Sequence, residues 1–141
     1  HPVSLQHILT GKELNRANLI VIDPRYPRTA AHATGFVRLR PGTDVILAWA
    51  VTAELERRGA LDRAFIEQHV LGFEEYMARA RAVTMAEAAR VCQVPETQIR
   101  QLADMVEAAC TTAVMEVSSH ALSLHRADGL AFRSAAFTSS W

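Results

Sequence analysis

The stretch Asn18-Leu-Ile-Val-Ile-Asp-Pro-Arg25 decides the fold of this chain. Its run of apolar residues, rich in Ile and Val, predicts a strand over residues 19–22 that is buried on both faces. That strand ends at once on an acid, a proline and an arginine. In a parallel α/β sheet, ligands bind in the crevice beyond the carboxyl ends of the strands. We therefore expect Asp23 and Arg25 to lie at a binding edge.

A second polar turn, Arg40-Pro-Gly-Thr-Asp44, follows a shorter predicted strand over residues 36–39. Either Thr43 or Asp44 can cap the apolar helix that begins there. Arg38 and Arg40 alternate with apolar residues, which predicts that both face solvent, with a role in binding phosphate as the alternative. Together, the two polar turns indicate a nucleotide-type ligand.

Composition excludes several classes of protein. The 141 residues fit one domain, and with 50% hydrophobic and 21% charged residues the chain can bury a core. Fifteen basic and fifteen acidic residues cancel, so we expect no nucleic-acid partner. No apolar run approaches the roughly 20 residues of a membrane span, and the start His-Pro-Val-Ser is no signal peptide. We expect a cytoplasmic protein without a membrane partner, cut from something larger.

The two cysteines, Cys92 and Cys110, fit neither a disulfide framework nor a zinc site. Both are expected to be buried thiols in a reducing compartment. Cys92 lies in a helical stretch, which places it away from the cofactor edge. The charged stretch Glu54-Leu-Glu-Arg-Arg58 is expected to be a solvated helix face.

Asp62 and Thr84 are predicted N-caps, and Gly59 is predicted to end the helix that begins at residue 44. Periodicity and these signals predict the order helix, strand, strand, helix, helical cluster, strand, helix, strand. Strands separated by helices favour parallel crossovers and an α/β sheet with helices on both faces. The predicted helices span residues 2–14, 44–58, 63–70, 73–82, 85–91, 95–109 and 119–126, and the later strands span 112–117 and 131–138.

Several ordered motifs make residues 1 to about 108 resemble the molybdopterin oxidoreductases, and most closely the catalytic subunit of formate dehydrogenases. The matching motifs are His1-Pro-Val-Ser4, Val21-Ile-Asp-Pro-Arg25, Arg28-Thr-Ala-Ala31, Val37-Arg-Leu-Arg-Pro-Gly-Thr-Asp44 and Asp62-Arg-Ala-Phe-Ile66. The resemblance implies an α/β domain that holds one guanosine half of a bis-molybdopterin guanine dinucleotide.

The resemblance also implies roles for four residues. Asp23 would bind the ribose or the guanine with Arg25 beside it, and Thr43 and Asp44 would line the guanine pocket. The chemistry is suitable, because a carboxylate can accept hydrogen bonds from both N1–H and the exocyclic amine of guanine. The alternative is that Asp44 only caps its helix and Asp23 only ends its strand.

Residues from about 104 to the end resemble another family, the central domain of the cytoplasmic Mur ligases. The motifs are Ala113-Val-Met-Glu-Val-Ser-Ser-His-Ala-Leu-Ser-Leu-His-Arg126 and Asp128-Gly-Leu-Ala-Phe-Arg-Ser-Ala-Ala-Phe-Thr138, closest to the ligase that adds the third amino acid to UDP-MurNAc-dipeptide. The resemblance implies that Glu116 binds magnesium and that Ser118 and Arg126 contact the UDP-sugar-peptide. The chain has no Gly-rich phosphate loop with Lys, so we expect these roles to be vestigial.

Taken together, these patterns predict one Rossmann-like three-layer α/β domain with a mostly parallel sheet and an inserted helical cluster. Residues 1–108 would come from one parent and 109–141 from the other, joined as a chimera or, alternatively, as a natural fusion. We expect no catalytic activity of its own, no bound cofactor, a possible weak guanine-nucleotide affinity and a homodimer. The alternative function is a fragment of a molybdenum-dependent, formate dehydrogenase-like oxidoreductase that binds the guanosine part of the cofactor.

Overall fold

The computed structural model describes residues 2–109. Within them the chain is mostly helical, with one small sheet of two strands, an arrangement compatible with an α/β fold. The elements are α1 (Pro2–Asn15), β1 (Ile20–Ile22), a 3-10 helix (Arg28–His32), β2 (Gly35–Val37), α2 (Asp44–Arg57), α3 (Arg63–His69), α4 (Phe73–Ala82), α5 (Met85–Cys92) and α6 (Glu96–Ala108). The strands and helix predicted after residue 109 lie outside the described residues.

The two strands pair in parallel, as predicted. Ile20 is opposite Gly35, and Ile22 is opposite Val37. Gly35 permits this approach, since a Cβ there would lie 3.2 Å from the Ile20 Cδ1 atom. The prediction that β1 is buried on both faces is wrong, since Ile20 and Val21 are half-buried and Ile22 keeps 46% of its surface exposed.

Local signals in the sequence set most helix boundaries. The Asp62 carboxylate accepts a hydrogen bond from the Phe65 backbone N–H at 3.0 Å, and the Thr84 hydroxyl accepts one from Glu87 N–H at 3.2 Å. Both are N-cap contacts that satisfy otherwise unpaired amides. These two predicted caps are confirmed.

The end of α2 is a Schellman motif. Gly59 has a φ of +70°, and its N–H donates to the Glu56 carbonyl at 2.9 Å. The Ala60 N–H reaches back to the Leu55 carbonyl, also at 2.9 Å. This left-handed position favours glycine, which confirms the predicted C-terminus.

Helix α2 is the centre of the hydrophobic core, since it packs against α4, α5 and α6. Leu55 contributes from α2, Met77 from α4 and Ile99 from α6, and each is almost fully buried. Val37 and Leu39 join the same core and fix β2 to the helices. Within residues 2–109, no helix combines the length and the apolar character needed to cross a membrane.

Candidate functional site at the carboxyl edge of the strands

Parallel pairing brings the ends of β1 and β2 to one edge of the sheet. Asp23 follows β1 directly, and its backbone N–H donates to the Val37 carbonyl at 3.1 Å. Arg38 follows β2, and its Nε donates to the Pro24 carbonyl at 3.1 Å. Arg38 thus joins the two strand ends, a role that sequence reasoning missed. It is exposed, as predicted.

The Asp23-Pro-Arg25 segment forms a tight turn of its own. Asp23 Oδ1 accepts a hydrogen bond from the Arg25 backbone N–H at 2.7 Å, the pattern of an Asx turn. Asp23 is half-buried and Arg25 is exposed. The turn therefore fixes one carboxylate oxygen and presents a cationic side chain at the edge.

The polar turn of residues 40–44, called here the 40–44 turn, leads from the strand edge into α2. Gly42 has a φ of +77°, which suits the third position of a type II turn after a proline. The Thr43 hydroxyl donates to the Arg40 carbonyl at 2.7 Å. Thr43 occupies the N-cap position of α2, but its side chain makes no capping bond. Of the two residues predicted as the cap, Thr43 is at the N-cap position but its hydroxyl closes the turn instead, and Asp44 is the first residue of the helix.

Asp44 is the first residue of α2 and is exposed. A negative charge in the first turn is stabilised by the partial positive charge of the helix N-terminus. The Asp44 carboxylate is thus exposed at the N-terminus of α2, next to the 40–44 turn, where it can accept hydrogen bonds from a ligand.

Cys92 lies directly against the 40–44 turn, so the prediction that it is far from the cofactor edge is wrong. Its Sγ donates to the Thr43 carbonyl at 3.4 Å, and its own carbonyl accepts from the Arg40 N–H at 2.9 Å. Burial raises the pKa of the Cys92 thiol, against the lowering effect of the Thr43 contact and with a further increase from Asp44. An inert, protonated thiol follows.

The residues of the 54–58 stretch are not a uniformly solvated face. Glu54 keeps only 5% of its surface exposed. The Arg57 hydrogen bonds hold the pKa of Glu54 at about 2, below its usual 4.5; desolvation opposes this shift and Arg58 reinforces it. This buried carboxylate is part of the packing of α2.

Arg58 connects that carboxylate to α6. Its Nε donates to Glu54 at 2.9 Å, and its Nη1 donates to Asp104 at 2.6 Å and to Glu107 at 3.0 Å. The network joins the C-terminal end of α2 to α6, at the opposite end of α2 from Asp44.

The structure brings the four predicted cofactor-binding residues into two local pairs. Asp23 contacts Arg25, and Thr43 precedes Asp44 at the start of α2. The three ligase-like residues, Glu116, Ser118 and Arg126, lie outside the described residues. Within residues 2–109, no group of three or more His, Cys, Asp or Glu side chains is arranged to hold a metal ion.

Comparisons with known proteins agree with this architecture. The chain is 32% identical over 108 residues to a nitrate reductase of Shewanella frigidimarina and 30% identical over 115 residues to formate dehydrogenase H of Escherichia coli. The solved structure of acetylene hydratase from Pelobacter acetylenicus superposes with a TM-score of 0.65 at 29% identity, over 74% of this chain. The chain contains a molybdopterin oxidoreductase-like segment.

That segment is a small part of its relatives. The matches cover 75% and 82% of this chain but only 12% of the nitrate reductase and 16% of the formate dehydrogenase. The acetylene hydratase match covers 14% of that chain. The resemblance therefore applies to a segment.

A second match supports the other resemblance in part. The model of the Mur ligase middle domain matches residues 74–139. It begins well before residue 104, within α4, so the predicted placement of the ligase-like segment is only partly supported. The match to formate dehydrogenase H covers 115 residues. Because the chain has 141 residues, that match must overlap the match over residues 74–139. The two similarities overlap in the helical cluster.

Proposed function

We propose that this chain is part of a molybdenum-dependent oxidoreductase and binds the guanosine part of a molybdopterin guanine dinucleotide. The observation that carries the proposal is the parallel pairing of β1 and β2. It places Asp23, Arg38 and the residues that lead to the 40–44 turn at one sheet edge, which is where α/β folds bind nucleotides.

The polar groups beside the 40–44 turn suit the guanine base. Asp44 is an exposed carboxylate at a helix N-terminus, and it can accept two parallel hydrogen bonds from N1–H and the exocyclic amine. Gly42 leaves open space, since a Cβ there would meet nothing within 4 Å. A flat base can therefore approach the turn without a steric barrier from this residue.

The remaining residues suit the sugar and the phosphates. Asp23 has a second carboxylate oxygen beyond the one that accepts from Arg25, and carboxylates are good acceptors for ribose hydroxyls. Arg25 and Arg40 are exposed cations of the type that pairs with phosphate oxygens. When bound, the cofactor would supply the redox chemistry, and this segment would supply binding and orientation.

A nucleotide titration of the full 141-residue chain tests the proposal. GDP should give saturable amide shifts at Asp23 and Asp44 near about 1 mM, an affinity of roughly 4 kcal/mol. IDP lacks the exocyclic amine and should bind more weakly, by about tenfold for one hydrogen bond to a charged group.

The variant Asp44→Asn should weaken GDP binding and abolish the preference for GDP over IDP. It removes the charge and replaces one acceptor oxygen by a donor. Glu67→Gln is the matched control, since Glu67 is an exposed carboxylate in α3. Non-saturable shifts for the unmodified chain, or equal GDP affinity in both variants, would contradict the proposal.

As the alternative to that function, we propose that the chain is a chimera that joins this segment to a ligase-derived segment and has no catalytic activity of its own. The family-model match over residues 74–139 supports the second origin. Glu116 as a magnesium ligand, and Ser118 and Arg126 as contacts of a UDP-sugar-peptide, would be vestigial. Assays for formate oxidation and for ATP-dependent ligation of UDP-MurNAc-dipeptide should both give no turnover; sustained turnover in either would refute this second proposal.

A further inference from the structure

The C-terminal end of α5 makes two hydrogen bonds to the 40–44 turn. The Cys92 carbonyl accepts from the Arg40 N–H at 2.9 Å, and the Cys92 Sγ donates to the Thr43 carbonyl at 3.4 Å. One residue of α5 therefore fixes both ends of the Arg40-Pro-Gly-Thr43 segment, across a sequence separation of 49 residues between Cys92 and Thr43.

Thr43 closes the same turn from within. Its hydroxyl donates to the Arg40 carbonyl at 2.7 Å, and its own carbonyl accepts from the Leu47 N–H at 3.1 Å as the first hydrogen bond of α2. Thr43 keeps 6% of its surface exposed and Cys92 keeps none. Buried to this degree, neither side chain is available to a ligand in solvent.

We propose that Thr43 and Cys92 are positioning residues that hold the 40–44 turn so that the Asp44 carboxylate meets the edge of a guanine nucleotide. This inference rests on the proposed function and changes the role of Thr43, from a residue that lines the pocket to one that orders it. Asp44 alone touches the base, and its neighbours fix where the carboxylate stands.

The physical basis is preorganisation. A turn that is already ordered loses less conformational freedom when a ligand binds, and bidentate acceptance needs a fixed carboxylate orientation. One neutral hydrogen bond contributes about 0.5–1.5 kcal/mol. Loss of the Thr43 hydroxyl should therefore weaken GDP binding by about two- to tenfold and reduce the preference for GDP over IDP.

The test compares two buried hydroxyls of matched type in the full chain. Thr43→Val removes the hydroxyl of the turn. Thr52→Val removes one in the middle of α2, where Thr52 is 3% exposed and donates to the Ala48 carbonyl at 2.9 Å. Both variants should lose stability to urea, but only Thr43→Val should lose GDP affinity and the discrimination against IDP.

Conservative variants give a second readout. Thr43→Ser keeps the hydroxyl and should bind GDP as the unmodified chain does. Cys92→Ser should bind GDP more tightly than Cys92→Ala, because serine keeps a donor toward the Thr43 carbonyl. Amide exchange at Arg40, measured without nucleotide, should rise in Thr43→Val and stay unchanged in Thr52→Val.

The outcomes separate the two proposals. If the unmodified chain does not bind GDP, the proposed function fails and the positioning role falls with it. If the unmodified chain binds GDP but Thr43→Val and Thr52→Val bind equally well, the site stands and the positioning role alone is overturned.

Discussion

At the scale of single residues, Glu54 shows how a side chain that looks solvated becomes structural. Two arginines on its own helix and Arg100 of α6 surround its carboxylate. A carboxylate that accepts charged hydrogen bonds while shielded from water is stabilised in its ionised form. Removing one partner of such a group leaves charges without compensation.

Glu54→Gln should lower the free energy of unfolding by about 2–3 kcal/mol at pH 7. The folded-state pKa of about 2 lies below the usual 4.5, so the contribution of Glu54 is present above pH 4.5 and is lost as the pH falls through about 2. Urea denaturation between pH 7 and pH 2 should show a shallower loss in the variant than in the unmodified chain.

Glu67→Gln again serves as the control, because it makes the same substitution at an exposed carboxylate of α3. If the free energy of unfolding depends on pH in the same way in Glu54→Gln and in the unmodified chain, the predicted contribution of Glu54 to stability is contradicted.

At the scale of elements, the sequence predicted the helix ends that depend on contacts between residues close in the chain. The caps at Asp62 and Thr84 and the glycine after α2 each need only contacts within a few residues, and all three were identified. The contact of Cys92 with the 40–44 turn and the burial of Glu54 depend on how α5 and α6 pack against α2. No local pattern carries that information, so both were missed.

Two glycine substitutions should have opposite effects on the helices. Gly59→Ala should destabilise the chain by about 1 kcal/mol, since a left-handed residue gains strain from a Cβ. Nothing lies within 4 Å of that Cβ, so strain is the whole effect. Gly11→Ala should stabilise it by roughly 0.5–1 kcal/mol, because Gly11 lies inside α1 with open space around it.

Thermal or urea unfolding followed by circular dichroism measures both changes. Gly59→Asn is the control, because asparagine tolerates the left-handed conformation better than alanine. A neutral or stabilising Gly59→Ala would contradict the Schellman assignment.

At the scale of the whole molecule, the described chain is a helical core with a small sheet on one side. The predicted three-layer Rossmann-like arrangement would need further strands, which were predicted after residue 109 and lie outside the described residues. Two strands in parallel and a cluster of helices are the part of that prediction that the described residues contain.

We expect the chain to form a homodimer through its strand edge. A sheet edge presents unpaired backbone N–H and C=O groups that can pair with a second chain, and the nearby side chains of Ile22 and Tyr26 are exposed by 46% and 66%. Sedimentation of the unmodified chain at tens of micromolar should show a dimer, which corresponds to an association free energy of about 7 kcal/mol. The variant Ile22→Lys should weaken this dimer. A purely monomeric profile for the unmodified chain would refute the expectation.

The position of β1 has a consequence for how the chain opens. Among the residues that the structure describes, the hydrophobic core cluster begins at Val37, and Ile20 is the residue before it that packs against that cluster. Segments with few buried contacts detach at a lower free energy than the global unfolding. We therefore expect the segment that carries Asp23 to detach at a lower free energy than the core that carries Asp44. A ligand that contacts both Asp23 and Asp44 would stabilise the segment of Asp23 against detachment from the core.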